Sequence, residues 1–261
     1  MNTKIRKLKG HSEHLLQSYL AVRKQYEYLE PMVFSRKVAD VFNGHEGADV
    51  FHNMRINLYY LCIQDLANLL GDRCSKTPSV ENLMNELWDP AITRTLRDQV
   101  VSQARYSMHP PILKEALDRE QKRKMIGFGV RMSRLNKSWE LLSRAKHADS
   151  FKKVRDKITA HAELQFDRTT YNRFPIASLG LKWGDLKSAL DNTEPIVLAI
   201  DRIIRGGGFD IGLWYRSIRQ ERKAFYDRWL LTPHAADGRC RHAACRARGA
   251  PAHRGSRRGR S

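Results

Sequence analysis

An arginine, an acid and a histidine stand within one short stretch, DSFKKVRDKITAHAEL, which runs from Asp149 to Leu164. Each side chain brings a different capacity. His161 titrates near neutrality, with an ordinary pKa of about 6.5, so its imidazole can take up or release a proton under physiological conditions. Arg155 keeps its charge at any working pH, and its planar fork matches the oxygens of a phosphate. Asp156 can orient either partner by accepting a hydrogen bond. A base and an anion clamp together would serve attack at a phosphate ester, where negative charge develops on oxygen.

These groups must be positioned by a helix. Asp149 or Ser150 can cap its N-terminus, because either side chain can accept a bond from an otherwise unpaired N–H two or three residues on. Phe151, Val154, Ile158 and His161 recur at three- and four-residue steps and so share one face, which places His161 on or beside the buried stripe. Arg155 lies six residues before His161, about 120° round the helix. The two can serve one site if the arginine side chain swings across, if the helix distorts near Ala160, or if a second copy of the helix faces the first. Taken singly, His161 also suits a core histidine donating to a carbonyl. Arg155 likewise suits an ion pair with Asp156, Glu163 or a neighbouring helix.

The flanking chain reads as helices. Ser12 to Leu29 carries Leu15, Leu16, Tyr19, Leu20 and Tyr26 on one side, and Pro31 predicts a break, with Met32 to Phe42 continuing after a kink. Asp49 to Leu70 has an apolar stripe wide enough for a central position, and Gly71 is expected to end it in a left-handed conformation. Ser79 caps a helix from Val80 to Trp88, and Ala91 to Ser107 follows. Ile112 to Lys124 reads as a solvated helix and Met125 to Ala145 as a packing seam. Gln165 to Leu181 is irregular. Asp185 to Arg205 contains Pro195, which predicts a kink or a restart capped by Thr193. Gly206-Gly207-Gly208 terminates it, and Ile211 to Leu231 closes the series. Helical spacing in every periodic segment predicts an all-α fold of five to seven helices and no sheet.

Residues 1–231 form the predicted domain, and 232–261 form an Arg/Ala/Gly-rich tail expected to be disordered, having almost no large apolar side chain to bury. Within that tail Cys240, His242, Cys245 and His253 lack the usual metal-pair spacing, so no metal is assigned. Lys and Arg number 47 against 28 Asp and Glu, a net charge of +19; the tail carries +7 of it and the body +12. A surface of that sign attracts polyanions such as nucleic acid. The chain lacks an apolar run of the ~20 residues that span a bilayer, and its charged N-terminus has no following apolar segment, so a cytoplasmic location and no membrane association are expected.

RDKITAH, residues 155 to 161, resembles the Arg-polar-x(4)-His signature of the HEPN superfamily. Its setting, with an apolar helix ending in NLLG upstream and a WGDLKSAL helix downstream, is similar to the branch related to abortive-infection protein U. The resemblance covers about residues 10 to 230. It implies an antiparallel helical bundle that forms a homodimer, in which two motifs meet in a cleft that cuts RNA with no metal or other cofactor. Arg155 and His161 would be catalytic, and Asp156 would fill the polar position after the arginine. The His-x-Tyr pattern of the nucleotidylated branch is missing, because Glu163 stands in the tyrosine position.

RNA supplies its own nucleophile in the 2′-hydroxyl, so a proton acceptor and a cation suffice. Beside such a site Arg168, Arg173 and Tyr171 could hold a phosphate and stack a base, or form a surface loop whose aromatics pack locally. The implied role is a prokaryotic phage-defence or toxin–antitoxin ribonuclease, with an antitoxin or defence protein as a further partner. The other reading is a dimeric helical module that binds RNA or a protein and cuts nothing.

Overall fold

A computed structural model describes residues 2–42, 47–71, 74, 76–106, 114–154, 156, 164–167, 170–173 and 180–231. Among them nine helices and one hairpin follow in order: α1 (Asn2–Phe34), α2 (Arg36–Phe42), α3 (Ala48–Leu70), α4 (Val80–Leu87), α5 (Pro90–Tyr106), α6 (Lys114–Ser143), α7 (Lys146–Val154), β1 (Leu164–Asp167), β2 (Thr170–Arg173), α8 (Trp183–Arg205) and α9 (Ile211–Leu231). The fold is an all-α helical bundle. No helix among the described residues is long and apolar enough to cross a membrane.

The core forms where α1, α3 and α8 pack side by side, with α4, α6 and α7 completing it. Leu15 and Tyr19 of α1, Ile63 and Leu66 of α3, and Leu190 and Ile200 of α8 are all fully buried in one cluster. A smaller cluster of Met32, Val38, Phe51 and Tyr226 joins the distal part of α9 to α1, α2 and α3. There Phe42 stacks on Phe51 with ring centroids 4.1 Å apart.

Neither Pro31 nor Pro195 breaks its helix, contrary to the expectation from sequence. Pro31 lies inside α1 and Pro195 inside α8. Each removes one N–H, freeing the carbonyls of Glu27 and Asp191 four residues earlier. Tertiary partners gather at those turns. Arg222 Nη1 reaches the Glu27 carbonyl at 3.5 Å and its carboxylate at 2.9 Å, and the Glu30 carboxylate at 2.8 Å. Thr193 caps no second helix; fully buried, its hydroxyl donates to the Ala189 carbonyl at 2.7 Å.

Arg23 links the two turns. Its Nη1 donates to Asp191 at 2.6 Å, and its Nε lies 3.4 Å from Glu27, at ion-pair distance but out of line for a hydrogen bond. Its guanidinium also lies over the rings of Tyr26 and Tyr215. Tyr19 and Tyr215 both donate to Glu194. Burial alone would raise the Asp191 carboxyl, but the hydrogen bonds from Lys187 and Arg23 outweigh it and hold it below its ordinary range. A carboxyl depressed by folding stabilises the fold above an unfolded pKa of about 3.9, and that contribution fades as pH falls through the folded value.

Other boundaries shift. Ser79 caps α4 as expected, accepting from the Asn82 N–H at 3.3 Å. Gly71 ends α3, but in extended backbone at φ −160°, not a left-handed one. A Cβ there would fall 2.5 Å from a Glu81 carboxylate oxygen, so that flexible, exposed side chain would have to turn aside. The left-handed terminator is Gly206, at φ 77° after α8. The two segments read from Ile112 and Met125 are one helix, α6.

A hairpin replaces the irregular stretch and corrects the expectation of no sheet: β1 and β2 pair antiparallel, Leu164 opposite Arg173 and Phe166 opposite Tyr171. LQFD alternates apolar and polar residues in the two-residue period of strands, and Tyr171 continues the pattern opposite Phe166. The tail from residue 232 lies outside the described residues.

Removing the Arg23 side chain would leave buried Glu27 still paired with Arg222 and part-exposed Asp191 still paired with Lys187, at the loss of one charged hydrogen bond and the packing of a buried side chain. Arg23→Ala should therefore lower stability by about 1.5–3 kcal/mol, as measured by urea unfolding near pH 7. A change below about 1 kcal/mol, the scale of a surface pair, would contradict the role assigned to it.

Candidate functional site

The segment from residue 155 to 182 is anchored at both of its ends on α3. At the entrance, Phe151 and Val154 of α7 are fully buried, in contacts that dock this helix on α3 and α8. At the exit, the Tyr59 hydroxyl of α3 donates to the Lys182 carbonyl at 3.2 Å, and its ring lies 4.4 Å from that of Trp183. Burial pushes the Tyr59 hydroxyl pKa up, so it stays protonated as that donor. Arg55 of α3 adds a cation over the Trp183 ring at 5.7 Å. The Asp185 carboxylate accepts from the Lys182 N–H at 2.8 Å and fixes the first turn of α8.

The motif helix differs from its expected extent. Asp149 and Ser150 do not cap it: α7 begins at Lys146, which puts Asp149 in its first turn, where a carboxylate faces the positive helix end favourably. The regular helix stops at Val154, and Leu164 belongs to β1, so the span 149–164 is not one continuous helix. Asp156 is half-buried in a π-type turn. Such turns widen the helix and recur at functional sites. The structure thus places Asp156 two residues past Val154, the buried last residue of a docked helix.

Arg155, His161 and Arg168 lie outside the described residues. Tyr171 and Arg173 are both on β2, two residues apart and opposite Phe166 and Leu164, so the register puts their positions on one side of the ladder.

Beside α7 is a recess of about 80 Å³ that sequence reasoning missed. Glu81 of α4, Trp139 and Ser143 of α6 and Lys152 of α7 line it. Lys152 sits one turn before Asp156. The absent side chain of Gly71 makes room here: its Cβ position falls 2.5 Å from Glu81 Oε2 and 3.8 Å from Lys152 Cε. No motif announces this grouping, because its members are spread from residue 71 to residue 152. The only local signal is the glycine at the end of an apolar helix.

Phe151 carries the docking of α7. Phe151→Ala should cost about 3–5 kcal/mol in chemical denaturation, the range for a fully buried phenylalanine. A loss under about 1 kcal/mol would mean that other contacts hold α7.

A family model described as AbiU2, of the HEPN type, matches residues 5–224, from the first helix to within a few residues of the end of α9. Searches of curated proteins and of solved structures return no match. The match takes in every element of the bundle, including the α7 segment on which the motif is built, and the chain therefore belongs to the AbiU2 family of HEPN proteins, an abortive-infection type of helical module.

Proposed function

We propose that this protein is a metal-independent endoribonuclease of a phage-defence or toxin–antitoxin system, acting as a homodimer on RNA. The observation that carries this reading is the position of RDKITAH. The string begins directly after Val154, where a fully buried anchor gives way to a π-type turn at Asp156, in a chain of the HEPN type. A cleaving group needs a rigid support close behind it, and the buried Val154 anchor supplies one.

In the reaction His161 takes the proton of the 2′-hydroxyl. The 2′-oxygen then bonds to phosphorus while the bond to the 5′-oxygen breaks, and that oxygen takes a proton back from the imidazolium. Arg155 holds the charge that builds on the non-bridging oxygens. Asp156 orients one of the two and does not itself react. A two-fold axis would let the arginine of one copy and the histidine of the other share a groove, so the two need not meet within one copy. Arg168, Arg173 and Tyr171 are proposed to contact the RNA nearby. Residues 1–231 would form the working unit, with 232–261 as an appended basic tail.

His161→Ala and Arg155→Ala should each lower cleavage of single-stranded RNA by about a hundredfold or more. Both should retain the parent's melting temperature and most of its RNA affinity, since the other cations supply the attraction. Asp156→Asn should cost less. If both alanine variants cut as fast as the parent, the nuclease reading fails; if the parent binds RNA and cuts none, a non-catalytic binding module takes its place.

A further inference from the structure

Phe128, Leu135 and Leu142 recur at seven-residue steps and are buried, which fixes the inner side of α6. Ile126, Val130 and Lys137 stand within about 20° of the opposite direction, at roughly 100° per residue. Two of those three are branched aliphatics left in water: Ile126 is 59 % exposed and Val130 44 %. Outward positions of a solvated helix ordinarily carry polar groups. An aliphatic pair one turn apart on that side has no use within this bundle.

Two rows of side chains shape the outer side. Lys122, Ile126, Val130 and Arg134 follow at four-residue steps and form one ridge. The neighbouring row is Met125, Gly129, Ser133 and Lys137, so beside the ridge runs a shallow groove floored by a glycine and a serine, both exposed. The bundle does not require a glycine at 129, where a Cβ would meet nothing within 4 Å. Inside a helix a glycine is less stable than alanine, and what it gives here is room for close approach from outside. A ridge beside a groove is the form against which a second helix packs.

Charge decides what kind of helix fits. No carboxylate occurs between Glu120 and Glu140, and that interval holds six cations. The ion pairs found here lie at its two edges, Arg123 with Glu120 and Arg144 with Glu140. Lys122, Arg134 and Lys137 are exposed and have no such partner among the described residues. Their complement is a helix apolar along its middle and acidic toward both ends of the contact, which from Lys122 to Lys137 spans about 22 Å, or about four turns. RNA would match the cations but has nothing to lay on Ile126 and Val130, since aliphatic side chains offer its bases no ring to stack on. A second copy of the chain would bring the same cations in place of acids.

We propose that the outer side of α6 is a docking surface for an acidic amphipathic helix of a partner protein. The partner's apolar residues lie along Gly129 and Ser133 against Ile126 and Val130, and its carboxylates meet Lys122 at one end and Arg134 and Lys137 at the other. The docking does not rest on the nuclease reading and holds whether or not the chain cuts RNA.

The test uses the full chain and a fluorescein-labelled synthetic helix of about 18 residues, enough to cover that span. Its leucines recur at three- and four-residue steps and its first and last turns carry glutamates; a second peptide has lysine for each glutamate. By anisotropy in about 150 mM salt, the parent should bind the acidic peptide about tenfold tighter than the lysine form, or better. Ile126→Ser combined with Val130→Ser should weaken the acidic peptide about tenfold, and Gly129→Leu, which fills the groove, should do the same with an undiminished melting temperature. Lys122→Glu combined with Arg134→Glu should invert the preference, making the lysine peptide the tighter ligand. A parent that binds neither peptide, or both equally, overturns the proposal. So does an Ile126/Val130 variant that binds as the parent does, because charge alone would then be at work. Oligouridine and phosphatidylserine vesicles stand for the other occupants: if the parent binds either more tightly than the acidic peptide and the same variants abolish that binding, the surface belongs to that ligand and the proposal falls. His161→Ala should bind the peptide as the parent does, so docking and cleavage are scored separately.

Discussion

Arg23 ties together α1 and α8, the two helices on which α2, α3, α4, α6, α7 and α9 pack. Its guanidinium sits between the carboxylates of Glu27 on α1 and Asp191 on α8, each four residues ahead of a proline that deprives its carbonyl of a helical partner. A buried cation of this kind is tolerated only when its charge is matched nearby, and here the matching acids come from two helices far apart in sequence. Arg222 of α9 repeats the arrangement from the other side by bonding Glu27 and Glu30. Two helices that would otherwise be weakened at their prolines are thus tied to each other and to α9. With α1 held against α8, α3 has a defined bed, chiefly on α1. α3 in turn carries both ends of the segment that contains the motif, through α7 at one end and Tyr59 at the other.

This hierarchy explains which parts of the fold were legible in the sequence. Apolar periodicity located α3, α5 and α9 to within a residue or two, because those helices owe their extents to stripes that can be counted directly. Ser79 was legible as a cap because its action is local. The prolines misled because a proline costs one hydrogen bond, and packing along most of α1 and α8 outweighs it. The hairpin was overlooked although its alternation was present in Leu164, Phe166 and Tyr171; segments of four residues are too short to distinguish from irregular chain by pattern alone. Nothing in the sequence could pair Arg23 with Asp191 or Glu27 with Arg222. Those bonds join residues more than 160 positions apart, and each member looks like an ordinary surface charge.

The candidate site was legible in a different way. RDKITAH could be picked out because its residue types have chemistry in common, and the family match agrees with the resemblance drawn from it. The environment of the motif was not legible. That α7 stops at Val154, that Asp156 enters a π-type turn, and that Glu81, Trp139 and Lys152 gather over Gly71 all depend on how α3, α4 and α6 meet. The functional consequence is a division of labour. The interior network fixes the bundle, and α3 holds both ends of the segment that contains the motif.

At the centre is the claim that the RNA supplies the nucleophile while the protein supplies only a base and a cation. The most direct measurement compares two versions of one RNA with a single mapped cut, in buffer containing EDTA. The first is all ribose, and the second carries one 2′-deoxynucleotide immediately 5′ to the scissile phosphate. Attack by the 2′-hydroxyl requires that the first be cut to a 2′,3′-cyclic phosphate end and that the second stay intact at that phosphate. Cleavage of the deoxy-substituted strand at the same position and a comparable rate would contradict it.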